Sequence, residues 1–126
     1  MKFVEERRKL MSSNEENLEL LSIVWLDKFG DATQENREIE EKLRSIINSV
    51  RVFDNCPSCL NYLQNRIDHL EKIILIVSGQ LGQEILDQVH HLTQIISIFV
   101  FCGNKPKYQQ WAQNYSKVIQ TFRSFF

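Results

Sequence analysis

KIILIVSGQLGQEILDQV, residues 72–89, is the stretch that best indicates the fold. Its apolar residues are continuous in the first half and recur at helical spacing in the second half. Residues 72–79 form a continuous apolar run, which predicts a strand that is covered on both faces of a sheet. After the turn of residues 79–82, apolar residues recur at helical spacing, so a helix follows the strand closely. A buried strand that leads directly into a helix is typical of a parallel sheet with helical crossovers.

The same alternation continues through the rest of the chain. Short apolar runs predict further strands, at residues 18–27, 50–53, 95–102 and 117–122. Amphipathic stretches predict three further helices. The first can be capped by Asp31 or Thr33, the second starts at Asn55 with Pro57 in its first turn, and the third follows the turn at residues 103–106.

Strands that alternate with helices through short turns imply right-handed crossovers. Five strands and four helices predict a three-layer, flavodoxin-like α/β domain with a parallel sheet of order 2-1-3-4-5, the plan of receiver and TIR domains. The most apolar strands, at 72–79 and 95–102, then lie centrally, and those at 50–53 and 117–122 are the edges.

Folds of this plan usually close with a helix after the last strand, and only residues 123–126 follow it here. We therefore expect the uncovered face to be occupied by the N-terminal segment, by another chain, or by a further domain of a longer polypeptide. The aromatic Phe125 and Phe126 favour the last two, so we predict a protein partner or further domain at the last strand.

Composition narrows the function classes. The chain has 126 residues, of which 43% are apolar, and this indicates one α/β domain at residues 18–126 after a polar tail or linker at residues 1–17. A net charge of −1 gives no global field toward nucleic acid or acidic lipid. The apolar runs are shorter than the roughly 20 residues of a membrane span, and the N-terminus lacks a secretory apolar core, so we expect a cytoplasmic protein without membrane contact.

Four stretches also carry a resemblance: VWLD (24–27), NREIEEKLRSIIN (36–48), LIVSGQLGQEILDQVHHL (75–92) and SIFVFCGNKPKYQQWAQNYSKV (97–118). Together they resemble an uncharacterised α/β module on the N-terminal side of large invertebrate proteins. In those proteins the module commonly precedes an ADP-ribosyltransferase domain, tetratricopeptide repeats, or both. The resemblance implies a regulatory or interaction domain, and it assigns no catalytic residue to this chain.

Ligands of such sheets bind outside the carboxyl ends of the strands, at the switch point between strands one and three. The glycines of SGQLGQE, residues 78–84, permit close backbone approach, and the following helix directs free N–H groups toward an anion. This predicts a small nucleotide or NAD-type ligand, although a tight strand-to-helix turn explains the glycines equally. The candidate ligand-binding residues are Asp27, Lys28, Ser78, Gly79, Gly82 and Asn104.

Known catalytic patterns do not fit these positions. Ser78 stands where a phospho-accepting receiver needs an aspartate, and Asp27 alone represents its magnesium-binding acids. Ser78 and Glu84 are too close in sequence for the serine and glutamate of a TIR-type NADase, and the usual Trp-Cys pair is absent. His90 and His91 are adjacent and point about 100° apart on a helix, so they cannot share one metal ion. We therefore expect no catalytic residue, no metal and no cofactor.

FDNCPSC, residues 53–59, contains a C-x-x-C pair at a helix start, as thioredoxin-type redox sites do. However, the thioredoxin fold ends in an antiparallel hairpin after a cis-proline, whereas helices separate the later strands here. We interpret Cys56 and Cys59 as reduced thiols in the first turn of a helix, with a redox role as the weaker alternative.

Two functional hypotheses follow. The first is a non-catalytic interaction or regulatory module that acts with another domain or partner through its last strand. The alternative is a small nucleotide or NAD-type ligand site, with or without enzymatic activity, at the carboxyl ends of strands one, three and four.

Overall fold

Strands and helices alternate along the whole described part of the chain. The computed structural model describes residues 21–65, 71–103 and 105–122, so the predicted tail at residues 1–17, Asn104, Phe125 and Phe126 lie outside the described residues. The elements are β1 (Leu21–Leu26), α1 (Gln34–Ile46), β2 (Ser49–Phe53), α2 (Cys56–Gln64), β3 (Lys72–Ser78), α3 (Gly79–Val89), β4 (Ile95–Phe101), α4 (Lys105–Ala112) and β5 (Val118–Phe122).

The five strands form one parallel sheet in the order β2-β1-β3-β4-β5. This confirms the predicted flavodoxin-like α/β class and its strand order. β1 lies between β2 and β3, with Trp25 opposite Val52 on one side and Ile76 on the other. The two most apolar strands are central, as predicted, and all five inner residues of β3 are buried.

Successive side chains of a strand point to opposite faces of the sheet, and each face carries its own apolar cluster. On one face, Val24, Leu75 and Val100 pack with residues of α2, α3 and α4. On the other face, Trp25 and Phe99 belong to a cluster with the apolar side chains of α1. Among the described helices, α1 alone packs on this second face. None of the described helices has the length and apolarity to span a membrane.

Polar side chains cap the first turns of three helices. Thr33 accepts a hydrogen bond from the backbone N–H of Asn36 at 3.1 Å and begins α1. Asn55 accepts one from Ser58 at 2.8 Å and begins α2. Ser78 accepts one from Leu81 at 3.3 Å and begins α3. Each cap satisfies an N–H group that has no partner within its helix, and the cap thereby stabilises the first turn of that helix.

β5 carries an irregularity at the outer edge of the sheet. Ile98 lies opposite Val118 and the next residue, Phe99, lies opposite Gln120, so Ile119 is an extra residue on β5. Such a bulge bends a strand and turns the side chain of the extra residue in a new direction. The side chain of Ile119 is 46% exposed.

The two glycines near the start of α3 allow close packing by the aromatic residues of α4. A β-carbon at residue 82 would lie 2.9 Å from Val77 Cγ2 and 3.1 Å from Trp111 Cη2. A β-carbon at residue 79 would lie 2.7 Å from ring atoms of Tyr108. Both positions are buried, so a side chain at either one would push α4 away from α3.

We expect Gly82→Ala to lower the free energy of unfolding by about 1 kcal/mol. Overpacking against Val77 and Trp111 costs about 1–3 kcal/mol, which exceeds the gain of up to about 1 kcal/mol from the better helix propensity of alanine. Urea unfolding measures the change. Gly103→Ala is the matched control, because a β-carbon at residue 103 has nothing within 4 Å. A stabilised Gly82→Ala variant would contradict the packing argument.

Candidate functional site

A cleft of about 220 Å³ opens at the carboxyl ends of β1, β3 and β4. Four of the predicted ligand-binding residues meet in its lining, namely Asp27, Lys28, Ser78 and Gly79. Gly82 does not line the cleft, since it faces Val77 and Trp111. The cleft therefore lies at the predicted switch point of the sheet.

Aromatic side chains form much of the remaining lining, and the sequence did not single them out for this site. They are Phe29 from the β1–α1 loop, Phe101 at the end of β4, and Tyr108 from α4. Tyr108, Trp111 and Tyr115 recur at helical spacing, which predicts the inward face of an amphipathic helix, and Tyr108 is half-buried on α4. The sequence signal for Phe29 is its position between Lys28 and Gly30, directly after a strand that ends in an acid.

A buried polar network shapes the loop between β1 and α1. Asp27 Oδ1 accepts a hydrogen bond from the Phe29 N–H at 2.9 Å. Asn36 Nδ2 donates to the Gly30 carbonyl at 2.7 Å and to Asp27 Oδ1 at 3.4 Å. Gly30 has a φ of +52°, a conformation that residues with a β-carbon adopt at a cost. The Asp27 carboxylate, 8% exposed, is thus engaged in holding the loop.

The consequence of this network is that Lys28 and Phe29 are held at the mouth of the cleft. Phe29 is 54% exposed although it is a large apolar residue. The Lys28 ammonium lies 5.1 Å from the centre of the Phe29 ring, within the range of a cation–π contact. An aromatic ring and a cation are therefore presented side by side to a ligand.

On the β3 side of the cleft, Ser78 and Gly79 already have structural roles. The Ser78 hydroxyl oxygen caps α3 through the Leu81 N–H. Gly79 leaves the space that the Tyr108 ring fills. Close approach to the glycines of SGQLGQE is thus made by aromatic residues of the chain itself, and the part of the α3 start that borders the cleft is Ser78, Gly79 and Gln80.

The positions of the acidic, thiol and hydroxyl groups differ from those of a metal site or a receiver domain among the described residues. Within residues 21–65, 71–103 and 105–122, no three His, Cys, Asp or Glu side chains are grouped closely enough to hold a metal ion. Ser78 occupies the end of β3, where a receiver domain needs its aspartate. Glu84 accepts a hydrogen bond from the Cys56 thiol at 3.2 Å and does not line the cleft.

Both cysteines of the C-x-x-C pair have raised pKa values. Burial, and then the hydrogen bond and charge of Glu84, raise the pKa of the Cys56 thiol to about 11. Burial, and then the neighbouring Cys56, raise the pKa of Cys59 to about 12. Both are free thiols. A redox-active cysteine at a helix start needs a lowered pKa instead, so these residues support the interpretation as a helix start.

Comparisons with protein-family models, with curated proteins and with solved structures found no match to the chain. The resemblance to the invertebrate α/β module therefore stays a prediction, and the candidate site must be argued from its own geometry.

We expect Asn36→Ala to lower the free energy of unfolding by about 1–3 kcal/mol, because the buried Gly30 carbonyl loses its donor and the Asp27 carboxylate loses one of its two. Chemical denaturation measures the change. Gln34→Ala, at an exposed position in the first turn of the same helix, is the control and should change stability by less than about 0.5 kcal/mol. Equal effects of the two substitutions would contradict the structural role of Asn36.

Cys56 should react slowly with iodoacetamide at neutral pH. The thiolate is the nucleophile, and with a pKa near 11 the alkylation rate should still rise between pH 9 and pH 10, where an ordinary cysteine levels off. Glu84→Gln removes the charge that opposes ionisation and should speed the reaction at pH 8, whereas Glu41→Gln on α1 should not. Peptide mass spectrometry follows each cysteine separately. A half-maximal rate at or below pH 8.5, or cycling with thioredoxin reductase, would restore the redox hypothesis.

Proposed function

We propose that this chain is a non-catalytic interaction or regulatory module of receiver-like or TIR-like architecture that acts with another domain or a partner protein. The observation that carries the proposal is the condition of the reactive groups around the cleft. In the cleft, Asp27 is engaged by two N–H donors and Ser78 caps α3. Outside the cleft, burial and Glu84 raise the pKa of the Cys56 thiol. Catalysis by a base or nucleophile needs a group that is positioned and activated by a neighbour, and these groups are committed elsewhere.

The outer side of β5 is the proposed docking surface. β5 ends the strand order, and an open groove of about 420 Å³ runs between it and α4. Gln109, Gln113 and Gln120 line this groove together with Ile119. Ile119 and Phe29 are the two large apolar side chains exposed among the described residues. Because the bulge interrupts the regular strand at Ile119, we infer that a partner contacts this surface mainly through side chains, and only in part by adding a strand.

Ile119→Arg should therefore weaken partner binding at least about tenfold, because a charge would be buried at the centre of the contact. A photo-crosslinker placed at residue 119 first identifies the bound protein, and calorimetry then compares wild type with the variant. Phe29→Ser is the matched control, since it removes the other exposed apolar side chain and should leave this affinity unchanged.

Two results would overturn the proposal. The first is an identical affinity of Ile119→Arg and wild type for the protein crosslinked at residue 119. The second is turnover of NAD, or phosphate transfer from acetyl phosphate, that disappears in Ser78→Ala, because the module would then be catalytic.

A second candidate function is the binding of a small nucleotide or NAD-type ligand in the cleft. The convergence of Asp27, Lys28, Ser78 and Gly79 at one cleft supports it. Ligand binding there must raise the melting temperature by mass action. This function is compatible with a regulatory module, because a ligand at one end of the sheet leaves β5 accessible to a partner.

A further inference from the structure

The β1–α1 loop keeps an aromatic ring exposed at the cleft by a fixed backbone. The Phe29 N–H is bonded to the Asp27 carboxylate, and the next residue, Gly30, is held by Asn36 in a left-handed conformation. Asp27 and Asn36 are both buried. The exposure of Phe29 therefore follows from the backbone of the loop, and the ring is available to a ligand in the cleft that it lines.

A lysine ammonium group lies close to each of two aromatic rings that line the cleft. The Lys28 ammonium lies 5.1 Å from the Phe29 ring centre, and the Lys107 ammonium lies 5.2 Å from the Tyr108 ring centre. The acid in the lining is Asp27, whose carboxylate already accepts two hydrogen bonds from within the loop. A ligand with an aromatic ring and an anionic group matches this combination, because the ring can stack on Phe29 while the anion approaches Lys28.

The volume of the cleft limits the size of that ligand. Pockets for drug-sized molecules usually enclose roughly 300–1,000 Å³, and the cleft encloses about 220 Å³. The Tyr108 ring closes the side toward Gly79. A complete dinucleotide such as NAD would extend far outside the cleft, so a single mononucleotide is the upper limit for a ligand held there.

We propose that the cleft binds a nucleoside monophosphate, with the base stacked on Phe29 and the phosphate beside Lys28. This inference rests on the second candidate function, the binding of a nucleotide-type ligand, and it names the ligand class. Two observations carry it, namely the exposed Phe29 ring in the lining and the Lys28 ammonium beside that ring.

The test is calorimetric titration of the 126-residue chain with AMP, adenosine, inorganic phosphate and NAD. AMP should bind more tightly than each of the other three compounds.

Phe29→Ser should weaken AMP binding about tenfold, as loss of one base–aromatic stack does. Phe29→Tyr keeps the ring and should bind AMP as wild type does. Lys28→Gln should weaken AMP but not adenosine, and this loss should shrink at high salt. Ile119→Ser and Lys42→Gln are the matched controls away from the cleft and should bind as wild type does.

The possible results distinguish failure of the monophosphate inference from failure of the nucleotide-type ligand function. Tighter binding of NAD than of AMP, equal binding of adenosine and AMP, or unchanged AMP binding by Phe29→Ser would overturn the monophosphate inference and leave a ligand site in place. If none of the four compounds binds, the nucleotide-type ligand function fails together with this inference, while the role of β5 in partner docking is untouched.

Discussion

The position of β1 between β2 and β3 is the constraint on which the rest of the structure depends. All six residues of β1 are buried, and the strand pairs in parallel with a neighbour on each side. From β1 the chain crosses to β2 in one direction and then returns past β1 to β3 in the other. Since both crossovers are right-handed, α1 lies on one face and α2 on the other. The loops that leave β1 and β3 therefore diverge, and the cleft is the space between them.

The contact between α3 and α4 is the second arrangement that shapes the site. Small residues on α3 meet large rings on α4, and the Tyr115 hydroxyl beyond the end of α4 donates to Asp87 Oδ1 at 2.6 Å. Burial and this hydrogen bond raise the pKa of Tyr115. Trp111 and Tyr115 also pack together, with ring centres 5.4 Å apart. This contact holds Tyr108 against Gly79, so the packing of α3 on α4 determines the side of the cleft that Tyr108 lines.

The sequence predicted what depends on local chemistry and missed what depends on contacts between distant residues. The helix start at Asn55 was predicted and that of α1 was narrowed to Asp31 or Thr33, because a capping side chain bonds to the backbone three residues later. The strand order was predicted from the count of five strands and four helices, which is that of a flavodoxin-like sheet, and the two most apolar strands fitted its central positions. The exposure of Phe29 was not predictable, because the loop that presents it is held by Asn36, which bonds to Gly30 and Asp27 from six and nine residues away. The role of Gly79 could not be predicted for the same reason. The space beside a glycine at a helix start can hold either a ligand or a side chain of the protein, and here the position of α4 places the Tyr108 ring in it.

The bulge at Ile119 bears on the behaviour of the protein at high concentration. VIQTF, the sequence of β5, is uncharged, free of proline and rich in residues that favour strands, which is the composition of segments that stack into cross-β fibrils. A regular edge strand of this kind would offer its backbone as a template to other copies. The extra residue breaks the spacing of the outward N–H and C=O groups. The exposed Ile119 therefore lies on an edge whose irregular backbone resists being copied into an aggregate.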